Sequence, residues 1–234
     1  LIPDFAQVQS DNVLLNLSPF EVKFDDYRPF FTEGTELFNK AGLFYSRRVG
    51  ATPVGYYDVL YGTDPSAEII SNPSQARLLN AAKLSGRTTG GLGIGVFNAI
   101  EGETVAVVKD SAGVESTLIT GPRSNYNVLV FDQSLKNNSF ITFTNTNVLR
   151  ENAFNDANVT AVNFSFNDKP NVWAIEGGGA YSQKYTGVET AANNGIYHYL
   201  SAGKSGGKRR FALGYEYTGA TYDNNDLGFL PINN

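Results

Sequence analysis

The chain has 234 residues, no Cys, a single His and a net charge of −5. Without Cys it cannot form a disulfide framework or a thiolate metal site. Its basic residues are scattered, apart from Lys208-Arg209-Arg210, so we expect no nucleic-acid partner. Charged residues make up 18% of the chain, below the usual value of about 25%. The many Phe, Tyr and Gly residues favour strands and turns over helices.

Residues 1–75 form an irregular N-terminal region in this interpretation. Residues 13–17 are apolar enough for a short strand, and residues 43–49 can form another. Between these two stretches the chain is rich in Phe and charge without a clean period. Residues 56–73 indicate a loop, because Gly and Pro interrupt them repeatedly.

Residues 18–42 are expected to form no membrane strand. Pro29 lacks the amide that a strand ladder needs and biases Arg28 toward extended geometry. The segment carries too many Phe residues for a free loop, so we expect it to pack against protein at the inner wall or the periplasmic mouth of a barrel. Irregular backbone is tolerated at membrane depth only where protein or water covers it.

Residues 76–234 are predicted to form consecutive β-hairpins of a barrel wall. Period-two alternation predicts four strand pairs, at residues 77–85 with 92–100, 125–133 with 139–149, 157–166 with 172–182, and 195–203 with 209–218. Tight turns connect the strands within a pair, and longer links connect one pair to the next. This layout, with strands of about 9 to 11 residues, is typical of antiparallel transmembrane β-barrels of the outer-membrane type.

The alternation also assigns side chains to two faces. We expect the apolar face to contact lipid and to include Trp173, Ile175, Phe211, Leu213 and Tyr215. We expect the opposite face to line the lumen and to include Glu176, Arg210 and Glu216. Residues 128–131 are apolar on both faces, which a plug or a second layer against this strand would explain.

Several short motifs, spread over most of the chain in a consistent order, resemble one family. They are Pro3-Asp4-Phe5, Arg28-Pro29-Phe30-Phe31 with Glu33 and Leu37-Phe38, Phe44-Tyr45-Ser46-Arg47-Arg48, Ala81-Ala82-Lys83-Leu84-Ser85-Gly86-Arg87-Thr88 with Gly93-Ile94-Gly95, and Tyr222-Asp223 through Leu227-Gly228-Phe229. The family consists of uncharacterised outer-membrane β-barrel proteins of Bacteroidetes-type bacteria. In its members a module like carbohydrate-binding family nine precedes the barrel region.

This resemblance implies the outer membrane of a Gram-negative bacterium as the location. It also implies an incomplete part of a larger barrel, with the carbohydrate-binding-like module absent from this chain. The expected partners are outer-membrane lipid and other envelope proteins in a larger complex. A sugar-related function would rest on the absent module and would be analogy only.

The densest motif contains five charged residues that we single out as a cluster: Arg28, Glu33, Glu36, Arg47 and Arg48. We interpret them as a structural salt-bridge network that fixes the irregular segment inside the barrel, because buried charges usually pair. The alternative is a binding or gating cluster at the inner wall. In the structural interpretation, the two glutamates are expected to meet the three arginines.

No catalytic, metal-binding or cofactor-binding residue is predicted. His198 is the single His and cannot build a His-rich zinc site. The glycine-rich residues 90–95 lack the third Gly of a dinucleotide fingerprint. Three acidic pairs could suit a glycosidase only if their geometry converged: Asp25 with Asp26, Glu33 with Glu36, and Asp223 with Asp226.

The expected function is therefore that of an integral outer-membrane β-barrel protein, part of a longer chain and not an enzyme. Its role would be transport, secretion support or structure within the envelope. Two alternatives remain open: a soluble carbohydrate-binding β-domain, and a glycoside hydrolase that uses paired carboxylates.

Overall fold

The computed structural model describes residues 22–152, 154–186 and 192–230. The predicted strand at residues 13–17 and the Pro3-Asp4-Phe5 motif lie outside these ranges. The helical elements are short: α1 (Pro29–Thr32), a 3-10 helix (Ser46–Arg48) and α2 (Tyr56–Gly62). The strands are β1 (Glu68–Ser71), β2 (Leu78–Arg87), β3 (Leu92–Glu101), β4 (Thr104–Lys109), β5 (Glu115–Gly121), β6 (Ser124–Ser134), β7 (Phe140–Arg150), β8 (Asp156–Asn167), β9 (Trp173–Tyr185), β10 (Ala192–Lys204) and β11 (Phe211–Thr218).

An eight-stranded antiparallel sheet dominates the fold, in the order β11-β10-β9-β8-β7-β6-β3-β2. Each of the four predicted strand pairs is confirmed as a pair of antiparallel neighbours. The turn between β6 and β7 uses Asn137 and Asn138 at φ 58° and 57°, a left-handed geometry that Asn tolerates well. Within the described residues the sheet is open, since β2 and β11 each have a neighbour on one side.

A second, three-stranded sheet in the order β1-β4-β5 was not predicted from the sequence. It occupies the link between β3 and β6, and residues 56–73 contribute α2 and β1 to it where a loop was expected. Val59 of α2 is buried against Ala106 and Val108 of β4. This contact comes from residues far apart in the chain, so the local Gly and Pro content did not reveal it.

One face of the large sheet, here called the inward face, is covered by residues 22–50 and 219–230. Phe31, Leu37 and Phe38 from this cover form one core cluster with Phe97, Val128 and other sheet residues. The prediction that the segment before residue 42 forms no strand and packs against protein is therefore confirmed for residues 22–42. The cover also explains why residues 128–131 are apolar on both faces.

Two glycines of β3 make room for the cover. A Cβ added at Gly93 would lie 2.8 Å from Leu37 Cδ2, and one added at Gly95 would lie 3.2 Å from the Phe38 ring. Real Cβ atoms do not approach other carbon atoms at 2.8 Å, so a larger residue at position 93 would push Leu37 away. The Gly-rich pattern of β3 therefore has a packing role.

The predicted strand at residues 43–49 is wrong. The backbone there turns through the 3-10 helix, with Arg48 N–H donating to Tyr45 O and Val49 N–H donating to Ser46 O. The Arg28 guanidinium donates to the carbonyls of Ser46 and Val49 at 2.8 and 2.7 Å. A side chain from another segment thus satisfies groups that a ladder would otherwise use.

The opposite side, here called the outward face, carries exposed apolar side chains from every strand of the large sheet. One example from each strand is Leu84, Val96, Phe131, Ile141, Val162, Ile175, Leu200 and Leu213. The register places Glu216 and Glu176 on the inward face. The predicted division between two faces is therefore confirmed for the residues within β9 and β11, whereas Arg210 precedes β11. No helix within the described ranges has the length and apolar character needed to cross a membrane.

Candidate functional site: charged contacts under the inward cover

Asp132 anchors a charged cluster near the tight-turn end of the sheet. Its side chain lies on the inward face of β6 and is fully buried. The carboxylate accepts hydrogen bonds from Lys40 Nζ at 2.9 Å, Arg87 at 2.5 Å and Thr142 Oγ1 at 2.6 Å. Lys40 belongs to the cover and Arg87 to β2. A buried carboxylate needs such partners, so Asp132 links the cover to the sheet.

A second charged network lies near the end of the sheet that carries the long links. The Glu101 carboxylate, buried at the end of β3, accepts hydrogen bonds from Gly50 N–H at 2.5 Å and from the Tyr126 hydroxyl at 3.0 Å. Arg150 of β7 pairs with Asp226 at 2.8 Å. These contacts connect sheet strands with both parts of the cover.

Lys184 of β9 extends this second network. Its ammonium group lies 3.0 Å from Asp223 and 3.4 Å from Asp226. Burial raises the pKa of Asp223, but hydrogen bonds from Asn225 N–H and from Lys184 outweigh burial and keep the pKa below its ordinary value. A cavity of about 220 Å³ adjoins the network and is lined by Glu101, Arg150 and Asp226 among others.

The five residues predicted as one charged cluster are divided between different contacts. Arg28 is buried and pairs with Asp26 at 2.6 Å. Glu33 and Glu36 are exposed, and among the described residues neither forms an ion pair with any of the three arginines. The expected pairing of Glu33 and Glu36 with the three arginines is therefore wrong. The carboxylate that pairs with Arg28 is that of Asp26, two residues before it.

Asp26 is held by several donors. Burial raises its pKa, but hydrogen bonds from the Arg28 guanidinium and the Ser46 hydroxyl outweigh burial, so the pKa lies below its ordinary value. Ser46 Oγ donates to Asp26 at 2.6 Å. The Arg28 guanidinium also stacks on the Phe31 ring at 3.9 Å. Asp26 and Arg28 thus fix the start of the cover to the 3-10 helix.

Arg47 and Arg48 point to two different parts of the cover. Arg47 is buried, donates to Asp25 O at 3.1 Å and lies over the Phe24 ring. Arg48 donates through Nε to Gly228 O at 3.2 Å. The Arg48 contact joins the N-terminal part of the cover to its C-terminal part.

Of the three acidic pairs considered for a glycosidase, one is bridged by a basic group, one has a basic partner on one member, and the third, Glu33 with Glu36, is exposed. Asp26 binds Arg28, and Lys184 bridges Asp223 and Asp226. His198 lies on the outward face, with its ring centroid 5.6 Å from that of Tyr215 and 5.2 Å from that of Tyr217. Within the described ranges no group of three or more His, Asp or Glu is placed to hold a metal ion.

Reasoning from sequence missed Asp132, the most buried charged side chain among the described residues. A signal was present, since Tyr126, Val128, Val130 and Asp132 alternate along one buried face of β6. An acidic residue in phase with three buried ones predicts a partner cation on that face. Its partners, Lys40 and Arg87, come from distant parts of the chain and could not be chosen from the sequence.

The fold is an antiparallel all-β architecture, with one apolar exposed face and one face covered by an ion-paired segment. Residues 1–234 match a family model described as a domain of unknown function, DUF5916. The match spans the whole chain, so the chain belongs to this family. The comparisons with curated proteins and with solved structures found no match.

Proposed function

We propose that this chain forms part of the wall of an outer-membrane β-barrel, with lipid against the outward face and a transport, secretion-support or structural role in the bacterial envelope. The observation that carries the proposal is the outward face itself. Every strand of the large sheet exposes apolar side chains there, and Leu213, at 81% exposure, is the most exposed of them. Such a face has to be covered in the working protein.

The dimensions of the face support a membrane environment. Eight strands have seven spacings of about 4.8 Å, so the face is roughly 34 Å wide, and its area exceeds that of the apolar patches usual on soluble monomers. β9 and β10 have 13 residues each. At about 3.4 Å per residue and a tilt of about 40°, they would rise roughly 34 Å, enough for an apolar band of about 25 Å.

The inward face of the sheet also supports the proposal. It carries buried charges and the irregular cover, which in a barrel would fill part of the lumen. Irregular backbone is compatible with membrane depth when protein shields it from lipid, and here the sheet would shield the cover. The open edges at β2 and β11 would pair with further strands of the complete barrel wall.

The two alternatives have less support. A glycosidase needs two carboxylates free to act on a sugar, whereas Lys184 bridges Asp223 and Asp226, and Arg28 binds Asp26. Glu33 and Glu36 are exposed, and neither lines a cavity described here. A soluble carbohydrate-binding domain offers no reason for apolar side chains along eight strands of one face. Neither alternative has an observation of its own in its favour.

The absence of Cys makes a direct test possible. Ile175→Cys and Glu176→Cys place a single thiol on neighbouring residues of β9 that point to opposite faces. In outer-membrane preparations, or after folding into lipid vesicles, each thiol receives a nitroxide spin label. We expect the label at position 175 to be relaxed by dissolved oxygen and the label at 176 by a water-soluble nickel complex.

Membrane fractionation provides the independent control. The full chain should remain in the membrane pellet after extraction with alkaline carbonate and should need detergent for release. Equal access of the nickel complex to both labels, or release of the chain without detergent, would contradict the proposal and would favour the soluble alternative.

A further inference from the structure

A small cavity separates the inward face of β8–β11 from the cover. It has a volume of about 190 Å³. Ala41 and Leu43 of the cover, with Ala161 and Ala180 of the sheet, form an apolar wall. Pockets for drug-sized ligands usually exceed about 300 Å³, so this cavity suits a ligand of only a few heavy atoms.

One buried polar atom, in a residue that lines this cavity, has no hydrogen-bond partner. Asn224 has 7% of its surface exposed and lines the cavity, and its side-chain oxygen accepts no hydrogen bond. Buried polar atoms in folded proteins are nearly always paired, so each exception needs an explanation. An unpaired carbonyl oxygen calls for a ligand that donates a hydrogen bond.

The other polar groups of the cavity have matching chemistry. Glu216 of β11 and Tyr197 of β10 both line it. The Tyr197 and Tyr222 rings lie 5.6 Å apart at an angle of 30°. The cavity thus combines a carboxylate, an amide oxygen and two electron-rich rings.

No basic side chain is present among the described residues that line this cavity. Lys184, which contacts the neighbouring Asp223, is held by Asp223 and Asp226 in the second charged network. The negative charge of Glu216 therefore faces the cavity without a basic group in its lining. This differs from the 220 Å³ cavity, which is lined by both acids and bases.

We propose that this cavity binds a small organic molecule through its primary ammonium group. The ammonium group has three donors, which the Glu216 carboxylate, the Asn224 side-chain oxygen and a tyrosine hydroxyl can accept. The rings of Tyr197 and Tyr222 add a cation–π contact, and the alanine and leucine wall holds the alkyl part. The site requires only the sheet and its cover, so the proposal does not depend on membrane location.

The test uses the folded full chain and three probes of nearly equal size: n-butylammonium, n-butanol and n-butyrate. Isothermal titration calorimetry measures binding of each probe. We expect n-butylammonium to bind at least about tenfold more tightly than n-butanol, and n-butyrate not to bind. Tight binding of n-butanol, or no binding of n-butylammonium at millimolar concentrations, would overturn the proposal.

Two matched variants locate the site. Glu216→Gln removes the charge in the cavity while keeping the shape of the side chain. Glu176→Gln removes the same charge on the same face, outside the lining of this cavity. Both side chains are exposed, so both variants should fold. We expect Glu216→Gln to weaken n-butylammonium binding about tenfold or more and Glu176→Gln to change it less than about twofold. Equal effects would refute the assigned site.

Discussion

The buried carboxylate of Asp132 provides the most informative test of how the cover is held. In the double variant Lys40→Met/Arg87→Met, this carboxylate would lose both cations and keep only the Thr142 hydroxyl. Asp132 is fully buried, so water cannot replace the lost partners. Removing the partners of a buried charge usually costs about 3 to 5 kcal/mol, and we expect a loss of that size in the free energy of unfolding.

The variant Asp132→Asn is the matched comparison. It removes the charge. Arg87 keeps its hydrogen bonds to Gly91 O and Ser134 Oγ, and the Lys40 side chain, which is 23% exposed, can reach water. We expect a smaller loss, about 1.5 to 3 kcal/mol, the usual value of hydrogen bonds to charged groups. The triple variant with all three substitutions should recover much of the stability that the double variant loses.

Urea titration of the refolded chain in detergent, followed by the fluorescence of Trp173, measures these free energies. The reasoning requires the double variant to be less stable than Asp132→Asn, and the triple variant to lie above the double variant. If the double variant were as stable as the unmodified chain, the Asp132 contacts would not hold the cover, and the assignment of this cluster as a structural anchor would be wrong.

Three further results are expected. Gly93→Val should displace Leu37, whose Cδ2 lies 2.8 Å from the position that a Cβ atom would take. The resulting overpacking should reduce the free energy of unfolding by about 1 to 3 kcal/mol. A urea midpoint equal to that of the unmodified chain would contradict this expectation. Leu213→Lys should reduce the free energy of unfolding in lipid by about 2 to 4 kcal/mol if the residue lies near the bilayer midplane, and Leu118→Lys in the small sheet should reduce it by less than half as much. Equal losses for the two variants, measured on folding into vesicles, would count against lipid contact. The pKa of Asp26 is lower in the folded state than in the unfolded state, so Asp26 stabilises the fold fully above its unfolded pKa. This contribution is lost as the pH falls through the lower, folded pKa. Proteolysis of the cover should therefore accelerate below about pH 4, and this acceleration should be absent in Asp26→Asn.

The strand pairs could be predicted because their information is local. Alternation along β9 and β11 separates Ile175 and Leu213 from Glu176 and Glu216, and Asn or Gly in the tight turns marks where each strand ends. The same local rules fail for the small sheet. There, Val59 is buried largely against Ala106 and Val108, which lie about 50 residues further along the chain.

The sequence predicts that buried charged side chains form ion pairs, but it does not predict which residues pair with each other. A buried Arg28 was expected to pair with a carboxylate, and it does, yet the partner is Asp26 and not Glu33. The choice depends on the direction of the chain after α1, which leaves Glu33 exposed. That direction is set by packing of the Phe31 ring, and no sequence spacing encodes it.

The positions of the ion pairs favour a structural role for the charges over a gating role. Lys40 binds Asp132 near the tight-turn end of the sheet, while Gly50 binds Glu101 near the end with the long links. The cover is thus attached at both ends of the inward face, and Arg48 joins it to the C-terminal residues at Gly228. A movement that opened a path under the cover would have to break both attachments together, leaving Asp132 only with Arg87 and Thr142, and Glu101 only with Tyr126. Because each hydrogen bond to a charged group is worth about 1.5 to 3 kcal/mol, a gate held at both ends would rarely open, whereas a fixed plug gains stability from the same contacts.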